Sequence, residues 1–592
     1  MIKETLCYGF FFYILSRGDF LKKKRWIAAG IFIAVAVIGI VMISKHNLNQ
    51  WVDFGEQVYI FSPYDDMAKI QRTCDEIFEN QERNQFGSER YALLFMPGDY
   101  PELDVKVGFY TQVLGLGEKP TDTRIGKVEC DARWLGDDPN NHSALCNFWR
   151  SVENIEVRDS TMWAVSQATD MRRMKIDKAL YLHDDYGWAS GGFLANSKID
   201  LMVDSGSQQQ WLSRNNTYKT WMGQNWNIVF CGDSPEGIPN GTWPLFSYTT
   251  ADGIDNMREK PYIIYDKKQG YELVRPEVRS TAEGYDWDLE EAQEHISFKE
   301  CFIATPKDAA KTINAALAEG MHIIFTPGIY KLSEPLQVTA DNTVLLGLGL
   351  ATLTPVNGNS CIETSAAGVT IAGLLCDAGT VESESLVHIG APEKEANPIL
   401  LADLYCRIGG ATTDKTAVKT AVVVDADGVI GDNLWLWRAD HGDGVGWEIN
   451  EAGHGIEING DDVTMVALMV EHFKKEQTIW RGQNGRCVMY QSEVPYDIPE
   501  GEACSSFVVE DNVTAFTGTG IGIYLYNRDA TIPLESAMIV PDAPEVSVEH
   551  IIDVMLGNSH PGIHHVINEA GGSVVHTGEV QKVIKYCNGQ WK

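Results

Sequence analysis

Tyr91-Ala-Leu-Leu-Phe-Met-Pro-Gly-Asp-Tyr100, followed by Val113-Leu-Gly-Leu-Gly117, returns later in the chain as His322-Ile-Ile-Phe-Thr-Pro-Gly-Ile-Tyr330, followed by Leu345-Leu-Gly-Leu-Gly349. Each copy is an apolar run, a Pro-Gly turn, an aromatic residue and a second apolar run ending in glycines. A helix-like stretch precedes each, Met67 to Phe78 in one and Ala309 to Leu317 in the other. The chain therefore reads as two similar domains in tandem.

Beyond the second copy, short β-rich runs recur between Gly, Asn and Asp: Gly368 to Leu375, Ala421 to Val424, Asn433 to Trp437, Gly455 to Ile458, Val463 to Val470 and Cys487 to Tyr490. No amphipathic helix of useful length separates them, which excludes a βαβ architecture. Strands of this length with an aliphatic inward face fit a β-sandwich or a parallel β-helix. The opening helix, placed to cap a first rung, favours the β-helix. The expected domains are an N-terminal β-helix over 51–258, a charged and strand-poor linker over 259–300, and a C-terminal β-helix over 301–592.

Residues 1–50 read differently. Lys22-Lys23-Lys24-Arg25 precedes an uncharged run of eighteen residues from Trp26 to Ile43, about the length that crosses a bilayer core. The positive cluster puts the first residues in the cytoplasm and the body outside. A cleaved signal peptide is the alternative. Ser44, Lys45 and His46 give no small-x-small cleavage site, which favours a transmembrane signal anchor in the cell membrane.

The 592 residues are 44% hydrophobic and 22% charged, which excludes a disordered chain. Lys plus Arg number 48 against 82 Asp plus Glu, for a net charge of −34. Residues 51–592 hold 41 of the basic and 80 of the acidic residues. Such a body repels nucleic acid and polyanionic glycans, so a neutral oligo- or polysaccharide is the expected partner and no nucleic acid is. Eleven of the twelve cysteines follow the apolar run, with no CxxC pair and no zinc-like spacing. Buried thiols are expected, with no metal and no cofactor.

The chemistry-bearing stretch is Glu471-His472-Phe473 with Gln491-Ser492-Glu493-Val494-Pro495-Tyr496. The spacing from Glu471 to Glu493 suits one rung, which would stack the two glutamates on strands about 4.8 Å apart. Two such carboxylates cannot both ionise cheaply, so one stays protonated as a general acid. The alternative is an acidic ladder on a solvated face. Apolar Val470, Phe473, Tyr490, Val494 and Tyr496 argue for a partly desolvated cleft.

These residues, with Val470-Glu-His472 and Trp435-Leu-Trp-Arg-Ala-Asp-His441, resemble glycoside hydrolase family 55, β-1,3-glucanases built from two tandem right-handed β-helices. Phe148-Trp-Arg-Ser-Val-Glu-Asn154, Trp163-Ala-Val-Ser-Gln-Ala168 and Ser190-Gly-Gly-Phe193 resemble that family's N-terminal solenoid in the same order. The resemblance runs from about Tyr91 to Pro499. It implies an all-β fold of two tandem right-handed parallel β-helices. It makes Glu493 the acid of an inverting, exo-acting reaction, with Glu471, Gln167 and Ser190 holding the nucleophilic water. Asp440 and His441 would shape the cleft. Gln491 and Tyr496 would bind substrate, as would Trp437 and Trp447 by stacking on sugar rings, although alternating Trp in a strand also fits core packing. The charged Phe473-Lys474-Lys475-Glu476 and Gly442-Asp443-Gly444 depart from the family's pattern.

Two other readings compete. A polysaccharide lyase on a similar β-helix would need an acidic substrate and a Lys or Arg base, and the net charge argues against it. A non-catalytic carbohydrate-binding surface protein would keep the scaffold alone. A monomer is expected for the hydrolase.

Overall fold

In both repeats the glycine of the Pro-Gly turn adopts a positive φ, 151° at Gly98 and 150° at Gly328. A Cβ there would run into the ring of Pro63 or Pro306, so only glycine lets the chain fold back this closely. The tyrosine two residues on then closes the turn. Tyr100 OH lies 2.9 Å from the carbonyl oxygens of Phe61 and Met96, and Tyr330 OH lies 2.8 Å from those of Ala304 and Thr326. The duplicated sequence is thus a duplicated piece of structure.

The computed structural model describes residues 52–592 apart from 133–137, 139, 290–292, 391–396 and 558–560. Phe54–Lys592 form one compact unit. The expected membrane segment Trp26–Ile43 lies outside the described residues. Among the described residues, no helix is long and apolar enough to cross a membrane.

The two expected helices are Met67–Gln81 and Ala310–Ala318. Asp66 caps the first, its carboxylate accepting from the Ala68 and Lys69 amides. Ile70, Cys74 and Ile77 face inward at helical spacing, as do Ala310, Ile313 and Leu317 in the second.

The remainder is almost all strand. Residues 58–251 supply a nine-stranded and an eight-stranded sheet, and residues 301–591 a fourteen-stranded and a nine-stranded one. Most pairs are parallel and join strands of successive turns of the chain, so like side chains stack. Leu93, Val113, Val152, Met171 and Leu194 form one such inward ladder, and Ile323, Leu345, Ile371 and Leu401 another, all within 1% of complete burial. Residues 255–297, expected to be poor in strands, instead form two small antiparallel sheets. Asp266 closes a turn there by accepting from the Lys268 and Gln269 amides, so the run of charges marks a hairpin and not a bare linker.

A column of left-handed residues bends the fourteen-stranded sheet. Gly373, Asp403, Asn433, Ala467, Met489, Gly520 and His550 take φ values of 49–70° at equivalent places on successive strands. This column faces the first half of the chain. Asn433 donates to the Thr169 carbonyl, Asn227 donates to the Gly520 carbonyl, and His550 meets Thr249.

Buried ions complete that seam. Arg172 forks onto Asp403 and also bonds Asp432, Arg214 bonds Asp432 and Glu259, and Lys260 bonds Glu153 and Asp403. Each of these side chains is at most 5% exposed. Pairs this deep add little net stability but fix relative position, because any slip strands an uncompensated charge.

Candidate active site

Four strands carry the site in register: Val429–Arg438, Thr464–Glu471, Gly485–Glu493 and Ala515–Tyr526. Trp437, Glu471, Glu493 and Tyr524 are successive partners across them. The glutamates therefore stand one strand apart on one face, as their spacing implied. Each of the four lies four residues beyond the left-handed column, where the bent strands run out along the seam.

Glu471 is 3% exposed and its oxygens are engaged. Gln167 Nε2 donates to Oε1 at 2.8 Å and Trp435 Nε1 to Oε2 at 2.9 Å. Ser190 Oγ donates to Gln167 Oε1 at 2.9 Å, which turns the amide N–H toward Glu471. Burial pushes the Glu471 carboxyl up to about 7. The nearby Gln491 amide and the Trp435 and Gln167 donors pull it back, and the Asp440 charge adds to the rise. Glycines place Ser190. Gly191 and Gly192 hold φ of 118° and 153°, and a Cβ on Gly192 would strike the Trp211 ring.

Glu493 is half-buried and accepts from the Tyr496 hydroxyl. Burial, then the neighbouring Glu471 and Asp440 charges, hold its carboxyl well above the usual carboxylate range, against an opposing pull from Arg528. Burial also disfavours the charge on Asp440. The bonded His441 and the charges of His472 and Arg528 outweigh it and hold Asp440 well below that range. His441 is pushed up to about 10, its bond to Asp440 overcoming burial, while burial drives His472 down to about 4. The site thus holds one firmly ionised carboxylate, Asp440, beside two whose ionisation is resisted.

The structure brings Glu493, Glu471, Gln167, Ser190, Tyr496, Asp440 and His441 together. Two of the expected substrate contacts are corrected. Trp437 is 1% exposed, 4.9 Å from the Trp435 ring in an aromatic cluster with Phe148 and Trp149, so no face is open to a sugar. Gln491 is wholly enclosed, its strand position flanked by Met469 and Gly522. Trp447 is half-buried, with the Lys474 ammonium 4.7 Å over its ring.

Sequence reasoning missed Arg528, which bonds Asp440, and Arg438, which forks onto Asp497 and so fixes the loop after Glu493. It also missed an aromatic path outward from the acid. Tyr524 lies 5.5 Å from the Trp226 ring, and Trp226 lies 6.2 Å from that of Trp188, which is 51% exposed. The chain position of Tyr524, one strand beyond Glu493, was the available signal.

Residues 301–493 match the LAM55 pectate lyase-like domain, and the match ends on Glu493. An exo-beta-1,3-glucanase of Streptomyces sp. (strain SirexAA-E / ActE) is 41% identical over 539 residues, covering 88% of this chain and 87% of that protein. The solved structure of sacteLam55A from Streptomyces sp. SirexAA-E superposes with a TM-score of 0.87 at 39% identity, over 90% of this chain and 99% of that one. A glutamate-to-alanine variant of sacteLam55A in complex with glucose gives 0.86 at 38% identity, over 91% and 99%. With sequence, fold and this much of both chains in agreement, the protein belongs to glycoside hydrolase family 55, the β-1,3-glucanases.

Proposed function

We propose that this chain hydrolyses a neutral β-1,3-glucan from its end, with inversion, on two right-handed β-helices in tandem. The observation that carries the reading is Glu493, a half-buried carboxyl in register with Glu471 whose ionisation both burial and its neighbour oppose. Such a group keeps its proton near neutral pH and can hand it to a leaving glycosidic oxygen. A water held by Glu471, Gln167 and Ser190 then attacks the anomeric carbon from the opposite face. The Glu471 carboxyl, titrating at about 7, can take the proton that this water releases. Trp226 and Trp188 offer faces for the sugar rings that lead away from the acid. The cation acting on Glu493 is Arg528, already bonded to Asp440 and Asp529, which leaves a lyase without its base.

The test is Glu493→Gln, which keeps size and hydrogen bonding but has no proton to deliver. Turnover of a natural glucan should fall by about 10² to 10⁴, with a smaller loss on an activated aryl glucoside, whose leaving group needs little protonation. Activity within about threefold of the parent, under about 1 kcal/mol of barrier, would overturn the assignment.

The enzyme works as a monomer held at the outer face of the cell membrane by Trp26–Ile43, whose length and preceding Lys-Arg cluster support that reading. Protease added to intact cells should then release nearly the whole chain. Full protection of the β-rich body would contradict the anchor.

A further inference from the structure

Three loops meet at Glu493, each leaving the same end of a strand in the fourteen-stranded sheet: 439–449 after Arg438, 494–506 after Glu493 and 527–533 after Tyr526. One guanidinium touches all three. Arg528 Nη1 donates to Asp440 Oδ2 at 2.9 Å and Nη2 to the Asp440 carbonyl at 3.1 Å. Nε and Nη2 donate to Asp529 Oδ2 at 2.9 and 2.8 Å. The same guanidinium lies 4.7 Å over the Tyr496 ring, and the Asp529 amide donates to the Tyr496 carbonyl at 3.2 Å. Tyr496 in turn donates its hydroxyl to Glu493.

We propose that Arg528 is a positioning residue for the reaction: it clamps the three loops, seats Tyr496 on Glu493 and neutralises Asp440 beside the acid. This rests on the reading of Glu493 as the acid. The charged and titratable groups facing Glu493 are Glu471 from the preceding strand, Tyr524 from the following one, Tyr496 from its own loop, and Asp440, His441 and His472 around Asp440. Arg438 is committed to Asp497. Loss of Arg528 acts on Glu493 in three ways of one sign. It removes a cation, leaves Asp440 less balanced, and frees Tyr496 to leave the carboxylate. Each favours the protonated acid, so the limb of the rate profile at which the acid ionises moves to higher pH. An ordinary exposed ion pair would do none of this, since it adds only slightly to folding.

The experiment measures kcat and KM on laminari-oligosaccharides across pH for Arg528→Gln, Arg528→Lys and Asp440→Asn, with Glu493→Gln as reference and thermal melts as a folding check. Arg528→Gln should lower kcat about tenfold with KM within about twofold, and shift the alkaline limb upward. Arg528→Lys keeps the charge without the planar fork, so its limb should stay near the parent's while part of the kcat loss remains. Asp440→Asn removes an anion beside the acid and should shift the limb downward. A folded Arg528→Gln with an unmoved limb, or an Arg528→Lys that behaves as Arg528→Gln does, overturns the positioning role while Glu493→Gln stays inactive. Parental activity in Glu493→Gln overturns the acid assignment itself.

Discussion

The two halves of the molecule turn their strands with the same device at different places. In the first half the left-handed residues Asn154, Arg173, Asn196, Asn215 and Gly232 each directly follow a strand of the nine-stranded sheet. Those strands are three to five residues long and stop at the turn. In the second half the column from Gly373 to His550 falls inside strands of eight to twelve residues, which bend and continue. The continuation carries Trp437, Glu471, Glu493 and Tyr524. The carboxylates thus sit on a hydrogen-bonded ladder that sets their separation, while Gln167 and Ser190 come from irregular segments just before short strands. Two carboxyls that raise each other's pKa need the stiffer support, because on a loop they would move apart and the coupling would be lost.

The largest break in this comparison is at the seam that aligns the two columns. Asp432 accepts from both Arg172 and Arg214 and is wholly buried. Asp432→Ala leaves two buried guanidiniums short of a partner, which should cost about 3–5 kcal/mol of stability in urea unfolding. A loss under about 1 kcal/mol would show that the ions do not hold the halves in register.

Acid titration comes next. The Glu471 carboxyl lies at about 7, against an ordinary 4.5. Between those values the folded chain binds more protons than the unfolded one, so stability falls as pH rises through the window, by roughly 3 kcal/mol from this group. Glu493 adds to the same slope. Stability of the parent measured from pH 4.5 to 7 should therefore decline, and Glu471→Gln should flatten the decline by removing one raised group and relaxing the other. Parallel curves for the two proteins would place the burden elsewhere.

A smaller effect separates the columns sterically. A Cβ on Gly520 would lie 2.7 Å from Val229 Cγ2 across the seam. Gly520→Val adds that overlap to a β-branched residue at φ 70° and should cost about 1–3 kcal/mol. Gly501, at φ 87° with nothing within 4 Å, is the control for backbone strain without the clash.

What the sequence made legible follows from these differences. The Pro-Gly-x-Tyr turn was readable because only glycine and a back-bonded tyrosine satisfy it, and it occurs twice. The Glu471–Glu493 register was readable because their 22-residue spacing suits a short rung and the apolar runs before both glutamates align, although the rungs on either side are longer. Arg172, Arg214 and Lys260 were not, since a lone basic residue reads as surface and its partners lie more than 40 residues away or in the other half. Trp437 was misplaced for a related reason. Alternation shows which face of a strand a residue takes, and in the second half the outward face is covered by the first half's Phe148 and Trp149. The column in the second half was legible only in part, because Gly373, Asp403, Asn433 and Gly520 carry a left-handed signal but Ala467 and Met489, on the two strands that bear the glutamates, do not.

Those two residues give the finest test of the comparison. Ala467 and Met489 hold φ of 52° and 58° inside paired strands, each wholly buried, a conformation that costs a non-glycine residue about 1–2 kcal/mol. Glycine would relieve that strain but brings an unfolded-state entropy penalty of roughly 0.5–1 kcal/mol and, at 489, loses a buried side chain worth more than either. Ala467→Gly should therefore be neutral or more stable by up to about 1 kcal/mol, and Met489→Gly clearly less stable. At Asn154 the side chain donates to the Gly115 and Gly117 carbonyls at 2.9 and 2.6 Å, so Asn154→Gly gains little strain relief and loses two bonds, giving a net loss. If Ala467→Gly proves as harmful as Asn154→Gly, the bend in the second half is held by something other than packing around a strained backbone, and the difference drawn between the two halves fails.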